Sequence, residues 1–223
     1  MSMRERLQDE FGCYLDENGN IVCPADEQPK TYDNVEYANI KPLRRVAIFG
    51  SARTDEDSKL YTAIRELAAD LSREGWIIVT GGGPGSMAAA NQGAMDECVE
   101  GEVCSLAETI RLPFEEFVNE HVQNRKHHED FFTRLEKFAL DCDAFIITPG
   151  GVGTLLELAL VYQLLQVDHI KDKPIICVGR MWRSLRDWIE SEMVESGFLG
   201  ADELELVHYV DRFAEASVLL RGI

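Results

Sequence analysis

From Arg45 onward, short apolar runs alternate with stretches whose apolar residues recur at helical spacing. Val46 to Phe49 reads as a buried strand that ends in Gly50-Ser51-Ala52. Leu60, Ile64, Leu67 and Leu71 then fall on one helix face, and Gly75 closes that helix. Trp76 to Val79 predicts a second strand, followed by Thr80-Gly81-Gly82-Gly83-Pro84-Gly85 and a helix from about Ser86 to Cys98. Val103 to Leu106 predicts a third strand. A longer connection through Leu112-Pro113-Phe114 leads to a helix near Glu129 to Leu140, a strand at Ala144 to Ile147 and a helix beginning near Gly153. A strand at Ile175 to Val178, a helix from about Trp182 to Glu195, a short strand near Leu206 to Tyr209 and a last helix from Asp211 finish the pattern.

Strand and helix in strict alternation imply an α/β fold, a doubly wound, mostly parallel sheet with helices on both faces. The glycine-rich segments at Gly50, Gly81 and Gly150 each follow a strand and precede a helix, so all belong to the carboxyl edge of the sheet, where such folds bind ligands. None matches G-x-G-x-x-G, and there is no G-x-x-x-x-G-K-[ST], so neither a dinucleotide nor an ATP P-loop is favoured.

Residues 1–42 differ from the rest in being polar, acidic and poor in periodic apolar positions, and they read as an extension to a domain over 43–223. Within them, Cys13-Tyr14-Leu15 and Ile21-Val22-Cys23 flank Glu17-Asn18-Gly19, the pattern of a small hairpin with Cys13 opposite Cys23. Asp16-x-Asn18-x-Asn20 faintly resembles a calcium loop, but Ile21 stands where the sharp turn needs glycine, which argues against calcium.

The chain has 223 residues and a formal charge of −18. That charge argues against a nucleic-acid partner, which needs a basic face to release counterions. A small anion is another matter, because screening limits distant carboxylates to roughly 8 Å of reach at physiological salt. No apolar run is long enough for a membrane span and Met1 to Glu10 lacks a signal-peptide core, so a cytoplasmic address is expected. The six cysteines contain no C-x-x-C pair, and reduced thiols are expected.

Pro149-Gly150-Gly151-Val152-Gly153-Thr154 between strand and helix makes an anion cradle: glycine lets N–H groups approach a phosphate, and a helix N-terminus adds roughly half a positive charge. Glu157, one turn on, would repel that anion unless it serves the ligand's chemistry. Thr154-x-x-Glu157 also reads as a capping box. Arg134 flanks the apolar stripe Phe131, Leu135, Phe138 and Cys142, and a guanidinium there needs a carboxylate or ligand partner; it equally suits an arginine reaching water or pairing with Asp130 or Glu136. Arg125-Lys126-His127-His128 is a basic cluster suited to a second phosphate contact or to a solvated turn. The histidines lack zinc spacing, so no metal is expected, and no serine or cysteine stands in a nucleophile motif.

Gly81-Gly82-Gly83-Pro84-Gly85-Ser86-Met87, Leu112-Pro113-Phe114-Glu115 and Pro149-Gly150-Gly151-Val152-Gly153-Thr154-Leu155-Leu156-Glu157, in this order, resemble the LONELY GUY family of nucleoside 5′-monophosphate phosphoribohydrolases, whose members often carry the label lysine decarboxylase. The similarity spans roughly residues 44–212. It implies a Rossmann-like sheet, a homodimer with the site near the subunit interface, no cofactor, and hydrolysis of an adenine-type nucleoside monophosphate (AMP or a cytokinin riboside 5′-monophosphate) to free base and ribose 5-phosphate. The implied catalytic pair falls on Arg134 and Glu157, and the implied phosphate and substrate contacts on Gly50, Ser51, Gly82, Gly83, Met87, Gly150, Gly151, Gly153 and Thr154. Two positions depart from the family pattern: Leu135 replaces the lysine that follows the arginine, and Phe138 replaces a methionine. The alternative is a non-catalytic nucleotide or cofactor carrier of the same superfamily. A decarboxylase using pyridoxal phosphate needs a Schiff-base lysine, and none lies in the glycine loops.

Overall fold

The computed structural model describes residues 14–15, 21–22, 44–110 and 118–222. The chain divides into two compact units, Met1–Pro42 and Leu43–Ile223. In the first, β1 (Tyr14–Leu15) and β2 (Ile21–Val22) pair antiparallel, Tyr14 with Val22 and Leu15 with Ile21. The expected turn at Glu17-Asn18-Gly19, Cys13 and Cys23 lie outside the described residues, as does Leu112-Pro113-Phe114-Glu115.

The second unit is a seven-stranded sheet in the order β6-β5-β4-β3-β7-β8-β9. Its strands are β3 (Arg44–Phe49), β4 (Trp76–Thr80), β5 (Ser105–Ile110), β6 (Asn124–His128), β7 (Ala144–Ile147), β8 (Ile175–Val178) and β9 (Val207–Val210). Every neighbouring pair is parallel. The helices are α1 (Lys59–Arg73), α2 (Ser86–Asp96), α3 (Phe131–Asp141), α4 (Val152–Gln166), α5 (Arg180–Ile189), α6 (Ala201–Leu204) and α7 (Phe213–Arg221). Past Ile189 the α5 helix loosens into a π turn over Glu190–Val194, which is why the sequence pattern ran on to Glu195.

Both faces of the central strands are covered, so those strands are continuous apolar runs rather than alternating ones. Val46, Ile48, Ile78, Ile146 and Ile176 pack on one side with Ile64 and Leu71 of α1, the alanines of α2 and Leu220 of α7. Ala47, Phe49, Val79, Phe145 and Ile175 pack on the other with Phe138 of α3, Leu158 and Val161 of α4 and Trp182 of α5. Phe49 meets the Phe138 ring edge-on at 5.0 Å between centroids, fastening the central strand to α3.

Three expectations need correction. The third strand starts at Ser105 rather than Val103, because Val103 is 42% exposed and β5, near the sheet edge, alternates buried and half-buried positions instead of forming an apolar run. The basic cluster is not a turn: it is the edge strand β6, pairing Ala107 with Arg125 and Ile110 with His128, and only its last residue is buried. A strand whose inward side chain is a histidine carries no hydrophobic pattern to read. Nor are all the thiols reduced. Cys98 and Cys104 form a disulfide (S–S 2.05 Å) because the short link from α2 to β5 folds back to bring their Cα atoms to 5.8 Å, while Cys142 and Cys177 are free and buried. Among the described residues no helix is long and apolar enough to cross a membrane.

Candidate active site

β3 and β7 lie side by side, Phe49 against Ile147, yet the chain leaves β3 toward β4, β5 and β6 and returns through β7 on the opposite side. Such a reversal of strand order opens a crevice at the carboxyl edge, where ligands bind in doubly wound folds. A cavity of about 910 Å³ occupies it, lined by the 50–54 loop, Gly81 and Met87, Arg134 and Leu135 of α3, and the 149–154 loop with Glu157.

The loops meet so closely that glycine is required. A Cβ on Gly50 would lie 2.6 Å from Ser86 Cβ and collide with Thr148 Oγ1, itself donating to the Phe49 carbonyl at 2.9 Å. The Ser51 carbonyl accepts from the Ser86 N–H at 2.9 Å and the Ser51 hydroxyl from the Arg53 N–H at 3.0 Å, so Ser51 ties the first loop to the start of α2 as well as facing the cavity. Gly82 adopts a positive φ of 78°, and a Cβ there would sit 2.9 Å from the side chains of Ala107 and Thr109.

Two of the nominated contacts stand off the cavity. Gly81 and Met87 form its wall, whereas Gly82 and Gly83 do not. Their carbonyls accept instead from the Asn119 side chain at 3.1 and 3.0 Å, and Asn119 joins a buried network with Asn91, Thr80 and Ser105. These bonds make the second glycine loop a rigid shelf, with Gly81 as its half-buried lip.

At the third loop, Gly150, Gly151, Gly153 and Thr154 all line the cavity. α4 starts at Val152 with Gly151 as N-cap, and no side chain caps it. Its first-turn N–H groups are thus left for an outside acceptor, and the first turn carries no acid. This geometry overturns the capping-box reading of Thr154-x-x-Glu157: the helix begins before Thr154, so Glu157 lies within it rather than reaching back to its cap. Buried Thr154 instead fills the space a Cβ on Gly150 would need.

Asp130 caps α3 by accepting from the Phe132 and Thr133 N–H groups at 2.8 and 2.9 Å, and its carbonyl accepts from the Arg134 N–H at 3.4 Å. Arg134 is buried; its Nε donates to the Glu108 carbonyl at 3.0 Å, and its Cζ lies 5.5 Å from the Phe138 ring centre. Its Nη2 stands 3.7 Å from Glu157 Oε1. Burial raises the Glu157 carboxyl to about 7, because desolvation penalises the anion more than the Arg134 charge supports it. The site therefore joins an uncapped helix N-terminus suited to an anion, a fixed cation and a carboxyl poised to change charge near neutrality.

Leu135 and Phe131 also face the cavity, with Ile110, Leu60 and Leu156, adding apolar lining beside the glycine amides. Sequence reasoning missed Arg53, a cavity-lining cation on the first loop. It also missed Glu108, which meets His128 in a buried pair beside Arg134. Neither residue sits in a recognisable spacing; only β5–β6 pairing brings Glu108 and His128 together. Arg125, Lys126 and His127 are exposed on β6 and do not line the cavity.

The chain is 30% identical over 74% of its length to cytokinin riboside 5′-monophosphate phosphoribohydrolase LOG3 of Arabidopsis thaliana, covering 76% of that protein. It is 27% identical over 77% of its length to the cytokinin riboside 5′-monophosphate phosphoribohydrolase of Mycobacterium tuberculosis, covering 90% of that one. Among solved structures it shares a fold with the molybdenum cofactor carrier protein of Chlamydomonas reinhardtii (TM-score 0.58, 20% identity, 81% of this chain and 97% of that one). The molybdenum cofactor binding protein of Rippkaea orientalis is equally similar (TM-score 0.58, 22% identity, 82% and 98%). A model of the SLOG cluster4 family matches residues 43–101. With a family model described as possible lysine decarboxylase matching residues 87–220, over the helices that carry Met87, Arg134 and Glu157, the chain belongs to the LONELY GUY family.

Proposed function

We propose that the protein hydrolyses the N-glycosidic bond of an adenine-type nucleoside 5′-monophosphate, AMP or its N6-prenylated riboside analogue, to free base and ribose 5-phosphate. The observation that carries this reading is the placement of Arg134 and Glu157 in one cavity with the uncapped start of α4. The amides of Gly150, Gly151, Gly153 and Thr154 would hold the 5′-phosphate, and that anchor orients the ribose over Glu157. As the C1′–N bond breaks, its electron pair leaves with the base and positive charge grows on the ribose. The Glu157 carboxylate would stabilise that charge through the ribose hydroxyls or by activating the water whose oxygen bonds to C1′. Arg134 would stabilise the electron density arriving on the base. The relatives named as cytokinin riboside 5′-monophosphate phosphoribohydrolases support the substrate class. The cofactor carriers share the fold at 20–22% identity and add no reason to prefer a carrier. No lysine among the described residues lines the cavity, so Schiff-base decarboxylation has no nucleophile there.

The reading is tested by incubating the purified protein with AMP, N6-prenylated AMP and adenosine and measuring released base. Base from the monophosphates and little from adenosine is the expected result; equal turnover of adenosine would remove the glycine loop from the reaction.

We further propose a homodimer through α3 and α4. Phe132 and Val152, each 84% exposed, stand with Leu155 and Leu156 at the helix starts that frame the cavity. Phe132→Glu should convert a dimer to a monomer in sedimentation; an unchanged mass would place any interface elsewhere.

A further inference from the structure

β6 is an edge strand with four exposed polar side chains, Asn124 to His127, and a single buried one, His128. His127 Nδ1 lies 3.3 Å from Thr109 Oγ1, and His128 is the one side chain of the strand buried in the segment that leads through Asp130 into α3, the helix of Arg134. The anchor is Glu108 of β5: His128 Nε2 lies 2.5 Å from Glu108 Oε2, with the side chains 5% and 13% exposed. The same Glu108 offers its carbonyl to Arg134 Nε at 3.0 Å. One residue thus grips both ends of the segment, its side chain holding His128 and its main chain holding Arg134.

A buried polar pair is a poor way to stabilise a strand edge, since desolvation offsets most of its attraction and an apolar pair of similar volume does as well. What it provides is direction, because a short hydrogen bond fixes angle as well as distance. Here the direction matters. The guanidinium is planar, its Nε is committed to the Glu108 carbonyl, and its Nη2 approaches Glu157 at 3.7 Å without yet touching it. We propose that the Glu108–His128 pair is a positioning device for Arg134, setting where its fork points in the cavity; the consequence for turnover rests on the role of Arg134 under Proposed function, whereas the geometric claim does not.

The two claims separate in one set of measurements on the full-length protein. The Arg134 Nε–H resonance, assigned by its loss in Arg134→Lys, is followed by ¹⁵N NMR without ligand in wild type, His128→Ala, His128→Gln and Glu108→Gln. Ile64→Val, a conservative core change in α1 at a residue that does not line the cavity, serves as the control. The expected result is a displaced resonance in His128→Ala that returns toward its wild-type position when imidazole fills the vacated space, smaller displacements in the two glutamine variants, and none in Ile64→Val. In the base-release assay kcat should fall about tenfold or more in His128→Ala while KM changes less than about threefold. If His128→Ala fails to fold, the glutamine variants, which keep most of the volume and a polar group, carry the same reading. A resonance at the wild-type position in folded His128 and Glu108 variants would overturn the proposal. A displaced resonance in a protein whose wild type releases no base from any monophosphate would uphold the positioning device and sink the proposed reaction instead.

Discussion

Arg134 Nη2 and Glu157 Oε1 face each other at 3.7 Å in the cavity wall, the two side chains 10% and 14% exposed. The separation is too long for a hydrogen bond, so the cation relieves only part of the cost of burying the carboxylate. A nucleotide that reached Glu157 with a donor would supply the hydrogen bond its carboxyl does not receive from Arg134 at this distance.

Because α4 is capped by Gly151 and not by a side chain, Glu157→Gln should leave the helix intact while abolishing base release. Its effect on stability has a definite sign. A carboxyl at about 7 when folded and near 4.5 when unfolded binds its proton more tightly in the native state, so native stability falls as pH rises from 4.5 through 7. The glutamine variant escapes that loss. It should match wild type in urea unfolding below pH 4.5 and exceed it by up to roughly 3 kcal/mol at pH 8, each pKa unit being worth about 1.4 kcal/mol. A variant that is less stable than wild type at pH 8 would show that the carboxylate supports the fold.

The same raised carboxyl sets a pH profile. In the proposed mechanism Glu157 works as the anion, so kcat/KM for AMP should rise as pH passes through about 7 and then level off. A profile that falls through the same region would reassign Glu157 as a proton donor to the leaving base.

Gly81 tests the cavity wall without replacing either member of the pair. Its φ is not in the left-handed region, so alanine suits the backbone, but the new methyl would collide with Arg134 Nη2 and approach Met87 Sδ at 2.8 Å. Both obstacles are the distal ends of side chains rather than backbone atoms. Gly81→Ala should thus change the melting temperature by a few degrees at most while cutting turnover by about tenfold or more through a displaced guanidinium. Wild-type turnover with the methyl in place would show that the fork need not occupy its present position.

The sheet and the loops at its edge were legible because they follow from local rules. Buried parallel strands such as Ala144–Ile147 are apolar throughout, and glycines mark where loops crowd, as Gly50 does against Ser86. Glu157 stood out because a carboxylate near an anion cradle is anomalous. What escaped was set by pairing across the sheet. β6 has no apolar residue to announce it, and Glu108 becomes a neighbour of Arg134 only when β5 lies beside that polar edge. Likewise the start of α4 decided between cap and interior for Glu157, a matter of where the chain turns that Thr154-x-x-Glu157 alone left open.

The last prediction concerns Arg134 and separates its charge from its shape. Nε is held by the Glu108 carbonyl, Cζ lies over the Phe138 ring, and Nη2 points toward Glu157. A lysine keeps one positive charge but carries all its donors on a single nitrogen and has no planar face, so it cannot reproduce the separate placement of Nε at the Glu108 carbonyl and Nη2 toward Glu157. If the guanidinium serves the nucleotide, Arg134→Lys should lose turnover by about a hundredfold, a transition-state loss of roughly 2.7 kcal/mol, with a much smaller change in melting temperature. Mass action offers a second measure, since a ligand that binds only the folded protein raises its melting temperature in proportion to its affinity. AMP should therefore stabilise wild type more than Arg134→Lys. Equal AMP-induced shifts in the two proteins, together with undiminished turnover in the lysine variant, would show that the fork belongs to the fold and not to the substrate.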